Sequence, residues 1–298
     1  MKHKWYRPVL YSITIFLHQV LLCVPRSVAL TLAAMLSRAA YCVVRRERKK
    51  AESHLAAAFG DAKSPAEIRG ITKKVFRNLA FTACDFALFP KLRPEHISRI
   101  VTIENPALLE KYNREEGRGV ILLTGHLGNW EMLAAALIAQ GYSGMVLGKR
   151  LRYEKYNELV VAVRRSQGVE TYYRDQSPRA LIRLLKQGKV VGILPDQDIA
   201  DVEGVYVDFF NRPAYTPTGP AKLALAAGVP ILTAFLLREG RRYRLVFDAE
   251  VDTRRREGES KEDAIRRITV DWNAIIEKYI TMYPDQWAWV HNRWKTQK

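Results

Sequence analysis

Cysteine is scarce in this chain, and the little there is does not form a framework. Cys23, Cys42 and Cys84 are odd in number and widely spaced, and none has a His at ligand spacing. Cys23 and Cys42 lie in apolar stretches. Buried or lipid-facing thiols in a reducing compartment are therefore expected, rather than a disulfide scaffold or a metal site. Also missing are His-Glu-x-x-His, Gly-x-x-x-x-Gly-Lys-[Ser/Thr], a Gly-x-Gly-x-x-Gly after a strand, and Gly-x-Ser-x-Gly. Those absences argue against a zinc hydrolase, against nucleotide cofactors and against a serine nucleophile on a strand-to-helix elbow, so no cofactor is expected. Acidic residues are in deficit: 31 Asp and Glu stand against 48 Lys and Arg, a formal net charge of +17. Such an excess implies an anionic partner, whether nucleic acid, anionic lipid headgroups, or an acidic carrier or substrate. No RNP-type aromatic motif, zinc knuckle or helix-turn-helix accompanies the charge, so no nucleic-acid partner is expected.

What is present at the N-terminus is apolar. Residues 9–24 contain no Asp, Glu, Lys or Arg, and Pro25-Arg26 ends the run; residues 28–44 contain one charge, Arg38. Lys2, Lys4 and Arg7 precede the first run, and Arg45, Arg46, Arg48, Lys49 and Lys50 follow the second. Each run falls short of the roughly 20 residues of a comfortable membrane span. Three readings compete: a signal peptide cleaved near Ser27-Val28-Ala29, a single uncleaved transmembrane helix, or a shallow hairpin of helices in the membrane plane. Positive charge at both ends favours the last, since both ends then stay on the cytoplasmic side. The chain is long enough for one large α/β domain with additions. It divides into residues 1–50, a membrane anchor or in-plane pair, and residues 51–298, comprising an amphipathic helical lead-in to about residue 100 and a core with its tail beyond.

From residue 101 the pattern alternates. Strands are expected at 120–124, 144–147, 170–173 and 190–194, with helices at 128–140, 154–166 and 178–187 between and around them. A helix at 217–227, strands at 230–237 and 243–247, and a long helix at 261–282 follow. Short Gly-containing links join the first units, which predicts an α/β fold with a mixed, largely parallel sheet flanked by helices.

Residues 120–140, VILLTGHLGNWEMLAAALIAQ, carry the strongest chemical signal. His126 stands at the C-terminal tip of a strand just before a helix, where ligands collect in open α/β sheets. Glu131 follows five residues later, a carboxylate within reach to orient a His acting as general base. The spacing alone carries little, because chance supplies such pairs in many chains. With no protein nucleophile beside it, the pair suits direct transfer, in which His126 takes the proton of a bound hydroxyl that attacks an activated carbonyl.

Other candidates gather at neighbouring strand ends. Leu194-Pro195-Asp196-Gln197-Asp198 brings two carboxylates and an amide to the next loop, and Asn129 opens the helix after His126. Lys149 and Arg150 directly follow a strand, as phosphate or oxyanion contacts do, and Arg164 lies on the next helix. Phe209, Phe210 and Arg212 belong to a long loop that either lines an acyl channel or packs on itself. The Trp-rich tail, with Trp287, Trp289 and Trp294 beside Arg293 and Lys295, fits headgroup depth or, for the first two Trp, the core.

The order GHLGNWE, LPDQD, FFNRPAYTPTG, AGVPIL and PDQWAWVHNRWK resembles the bacterial lipid A biosynthesis acyltransferases, lauroyl and myristoyl, over nearly the whole chain. That resemblance implies an enzyme at the cytoplasmic face of the bacterial inner membrane. It would move a fatty acyl chain from acyl carrier protein to a hydroxyl of an acylated sugar-phosphate lipid. It also maps the catalytic pair to His126 and Glu131, and a catalytic basic residue to Arg150 or Arg164. Glu rather than Asp at position 131 is shared with mycobacterial phosphatidylinositol mannoside acyltransferases, so the acceptor stays open. A lysophospholipid acceptor, or a non-catalytic lipid-binding scaffold, are the remaining readings.

Overall fold

A computed structural model describes residues 6–296, so the basic residues Lys2 and Lys4 lie outside the described residues. Five helices come first: α1 (Tyr6–Cys23), α2 (Arg26–Val43), α3 (Arg45–Phe59), α4 (Pro65–Ala87) and α5 (Pro94–Ile100). Pro25 separates the first two, and Ser64 starts α4 through a capping box with Glu67. The capping box satisfies two backbone donors that a bare helix end leaves free.

The remaining elements build the sheet and its cover. In order they are β1 (Val101–Glu104), α6 (Ala107–Leu109), β2 (Val120–Leu123), α7 (Trp130–Ala139), β3 (Gly144–Gly148), α8 (Glu154–Arg165) and β4 (Glu170–Tyr173). Then come α9 (Pro178–Lys186), β5 (Val190–Ile193), β6 (Gly204–Asp208), β7 (Pro213–Pro217), α10 (Gly219–Ala227), β8 (Ile231–Glu239), β9 (Arg242–Val251) and α11 (Lys261–Met282). The seven-stranded sheet has the order β1-β9-β8-β2-β5-β3-β4. Its pairs are parallel except β8 with β9. The fold is thus α/β with a mostly parallel mixed sheet flanked by helices. Strand β1 was not anticipated, and part of the stretch read as a long loop is an antiparallel hairpin of β6 and β7.

Alternate residues of each central strand face two different cores, as a pleat requires. Ile121, Leu123, Val191 and Ile193 join α9, α10 and α11 on one face, together with Ala51, Leu55 and Val75 of the helical lead-in. Val120, Leu122 and Val190 join α7 and β9 on the other. Chain leaving β2 crosses to the α7 face, while chain leaving the adjacent β5 reaches α10 on the opposite face. Between these two strand ends the sheet has a switch point, the place where open α/β sheets hold ligands.

Among the described residues no single helix is long and apolar enough to cross a membrane. Helices α2 and α3 would pass such a test together, but they are bent by 87°. Among the described residues, all the exposed large hydrophobic ones except Leu151, Val270 and Met282 nonetheless lie between Tyr6 and Val44.

Candidate active site

Two loops meet at the switch point. His126 leaves the end of β2 and Asp196 the end of β5, and the ring Nδ1 of His126 lies 2.8 Å from Asp196 Oδ1. The His126 backbone N–H donates to Asp196 Oδ2 at 2.7 Å, and the indole N–H of Trp287 donates to the same oxygen at 2.8 Å. Asp196 is 1% exposed. Burial alone would raise its pKa, but the positive charge of His126 and these three hydrogen bonds outweigh it and hold the carboxyl at about 2. An ionised carboxylate only accepts, so Nδ1 carries a proton, and in the neutral ring Nε2 presents the lone pair. The Gln197 amide approaches Nε2 at 3.3 Å, and 23% of the His126 side chain is exposed.

The loop carrying His126 has little freedom. Gly128 has φ +64°, and a Cβ there would stand 2.0 Å from the Leu236 carbonyl oxygen, so only glycine fits. Its N–H donates to Gln286 O, the Asn129 N–H to Leu236 O, and the Ala288 N–H to His126 O. The tail therefore folds over the site rather than standing apart from it. Trp287, Trp289 and Arg293 are 1% or less exposed, and Trp294 is 9% exposed. This removes headgroup depth as a role for the tail: its indoles pack at a tilt against Phe209 and Phe210 in the core.

Glu131 is elsewhere. The spacing placed it against His126, but its carboxylate takes two hydrogen bonds from Arg164 of α8, at 2.7 and 2.9 Å. Trp130 explains the difference, because its ring fills the space beside His126 with centroids 5.0 Å apart. Glu131, one position on, is turned toward α8. Desolvation works against the Arg164 charge, yet hydrogen bonding and attraction to Glu131 raise its pKa above the ordinary value.

Several candidate substrate contacts are engaged inside the protein. Asn129 caps α7 by accepting from the Met132 N–H and donates to the Tyr243 hydroxyl. Tyr243 in turn donates to Asp85, which Arg26 of α2 and Arg238 also reach. Asp198 accepts from the Thr296 N–H and hydroxyl at 2.7 Å each and so anchors the tail. Phe209 is fully buried and Phe210 nearly so, while Arg212 lies over the Trp294 ring at 5.1 Å. These contacts match packing rather than an acyl channel. Arg150 sits 4.0 Å over the Tyr173 ring and 3.4 Å from Asp175, and Lys149 is exposed, 3.9 Å from Asp201. The sequence allowed Trp287 a place in the core, but a Trp in a basic tail gives no sign that its N–H is needed at Asp196.

Beside the Asp196 loop, on the α9 and α10 face, opens a cavity of about 540 Å³. Leu147, Leu181, Ile193, Pro195 and Leu223 contribute to its walls, and Arg174, Lys222 and Lys261 are among its charged lining residues. Its size falls in the range of ligand pockets. A narrower apolar slot of about 40 Å³ lies under Trp130 on the other face, lined by Leu122, Leu137 and Tyr142 among others.

A His with an ionised partner at one ring nitrogen, only an amide contact at the other and an apolar cavity nearby can take a proton from a hydroxyl on a lipid. Comparison with known proteins agrees in kind. A phosphatidylinositol mannoside acyltransferase of Mycobacterium tuberculosis (strain CDC 1551 / Oshkosh) is 32% identical over 129 residues, 42% of this chain and 40% of that protein. The lipid A biosynthesis lauroyltransferase of Escherichia coli (strain K12) is 33% identical over 125 residues, 40% of this chain and 38% of that one. Each of these alignments covers about two fifths of the relative's own length. The lipid A biosynthesis myristoyltransferase of the same organism is 24% identical over 267 residues, 89% of this chain and 80% of its own. The family profile for bacterial lipid A biosynthesis acyltransferases matches residues 2–296, and the chain belongs to that family.

Proposed function

We propose that this chain is a membrane-associated O-acyltransferase that moves a fatty acyl group from acyl carrier protein to a hydroxyl of a lipid A precursor, with His126 as general base. The observation that carries the reading is the His126–Asp196 pair at the sheet's switch point. The described hydrogen bonds of the His126 ring go to Asp196 and Gln197, with no Ser, Thr or Cys between them to act as a nucleophile. Direct attack is therefore favoured over a covalent acyl-enzyme.

In this scheme Nε2 takes the acceptor's hydroxyl proton as the oxygen attacks the thioester carbonyl. The C–S bond then breaks, and the departing thiolate takes the proton back from the imidazolium. Asp196, held ionised, stabilises that imidazolium and fixes its tautomer. The 540 Å³ cavity beside Pro195 suits the apolar part of a lipid substrate. The pairing of Glu131 with Arg164 sets a cation next to the helix that carries Trp130. The exposed apolar residues of α1 and α2 support in-plane seating on the cytoplasmic face of the bacterial inner membrane.

A second acceptor is favoured by one observation: the 32% identity to phosphatidylinositol mannoside acyltransferases. Lipid mass spectrometry of a deletion strain, complemented by wild type or by His126→Ala, tests both. The expected result is one acyl chain missing from a lipid A species in the deletion and in the His126→Ala strain. A lost mannoside species would move the acceptor, and an active, folded His126→Ala would end the general-base reading.

A further inference from the structure

The strongest unassigned feature is a cleft of about 550 Å³ between α2 and α4. Arg38, Lys73, Lys74 and Arg77 line it with Ser37, Tyr41 and Cys42. None of the four cations pairs with a carboxylate among the described residues. Glu52, which receives the Tyr41 hydroxyl at 3.3 Å and lies 4.0 Å from Arg48, is not part of the lining. Lys73 instead sits 5.7 Å from the Tyr41 ring centre. Four like charges around one concavity repel each other, and an anion seated among them relieves that repulsion.

The setting argues for the source of the anion. On α2, Val28, Leu32, Met35, Leu36 and Val43 are all exposed, and their spacing puts them on one stripe of the helix. At 3.6 residues per turn, Arg38 lies about a third of a turn round from that stripe. Val9, Leu10, Ile13, Phe16, Leu17 and Val20 of α1 form a second exposed apolar stripe. Soluble proteins rarely leave so much contiguous apolar surface in water. An apolar stripe with cations along one flank matches a helix lying in the interface, with the stripe among acyl chains and the cations at headgroup depth. The exposed Arg45, Arg46 and Lys49 continue the basic band past the bend after Val43.

We propose that this cleft is a seat for the phosphate headgroup of an anionic bilayer lipid. The inference rests on the in-plane seating of α1 and α2 proposed above, and adds to it a particular binding place with a particular chemistry. The four basic side chains supply the donors, and the flanking stripe receives the lipid's acyl chains.

Co-sedimentation of the full chain with vesicles tests it, using phosphatidylcholine alone and phosphatidylcholine with 30% phosphatidylglycerol. A variant carrying Arg38→Gln, Lys73→Gln, Lys74→Gln and Arg77→Gln is compared with one that removes the same charge elsewhere, at Arg254, Arg255, Arg256 and Arg266. Each basic residue near an anionic surface is worth about fivefold in partition. The cleft variant should therefore lose at least tenfold of its binding to the anionic vesicles, keep its binding to the neutral ones, and differ from the control. Equal losses in the two variants would mean diffuse charge and overturn the seat, while in-plane seating stands. Unchanged vesicle binding with a raised KM for the acyl carrier protein thioester would assign the cleft to an acidic protein instead. Wild type binding to neither vesicle would remove both the seat and the seating.

Discussion

His126 and Asp196 are 70 residues apart and share two hydrogen bonds, one from the backbone N–H and one at the ring. Parallel pairing of β2 with β5 brings them together, because it sets the ends of both strands side by side. A carboxylate gripped twice by the same residue holds the imidazole in one orientation and one tautomer.

Replacing that carboxylate should show how much this is worth. Asp196→Asn is expected to lower kcat by about 10²- to 10⁴-fold, the range of a displaced orienting group, with a much smaller change in KM. Its stability should also differ with pH. A folded pKa of about 2 lies below the unfolded value, so the carboxylate's stabilisation is present above pH 4 and is lost as pH falls toward 2. Chemical denaturation from pH 7 to pH 2 should show the wild type's advantage over Asp196→Asn shrinking across that window. A constant gap would refute the ionised assignment.

The pairing of Glu131 with Arg164 leads to a double-mutant cycle. If Glu131 serves by holding Arg164, then Glu131→Ala and Arg164→Ala should each depress acyl transfer to a similar level, and the double variant no further. Additive losses would mean that Glu131 acts on the substrate or on His126 independently.

Gly128 and Gly125 should separate fold from chemistry. Gly128→Ala meets the Leu236 carbonyl in a positive-φ backbone, so it should abolish soluble expression or lower the melting temperature by many degrees. At Gly125 a Cβ would lie 3.2 Å from Asp196 Oδ2, close enough to nudge the carboxylate without displacing the backbone. Gly125→Ala is therefore expected to fold and to lose activity. Thermal scans with parallel acyl-transfer assays read both.

His291 makes a prediction of opposite chemistry. Burial lowers its pKa to about 4, and the Asp198 backbone N–H donates to its Nε2, which needs a neutral ring. Between pH 6.5 and 4 the unfolded state binds a proton that the folded state refuses, so stability falls as pH falls through that interval. His291→Gln should flatten the slope of stability against pH there. An unchanged slope would place the acid sensitivity elsewhere.

Much of this was legible in the sequence. Alternating apolar runs and short glycine links marked β2 through β5 and the helices between them, because buried parallel strands read as continuous apolar stretches. His126 could be found because its place at a strand tip is a local property. Its partner could not, since adjacency of β2 and β5 is a matter of sheet order. Glu131 looked like the partner because sequence distance substituted for direction, and Trp130 occupies the intervening space. The hairpin of β6 and β7 was missed because Pro213 lay in the stretch read as a loop and Pro217 opened the expected helix, yet the two sit at the ends of an edge strand. For the tail, a Trp among basic residues suits an interface as well as a core, and only the packed neighbours distinguish them.

The stitching of residues 286–288 to the His126 loop also ties two distant stretches of chain into one unit. Asp196 gains its Trp287 hydrogen bond only when that segment, 91 residues on in sequence, is docked. Under the proposed function, a break in the chain just before residue 286 would leave His126 and Asp196 both present yet without the contacts that hold their geometry.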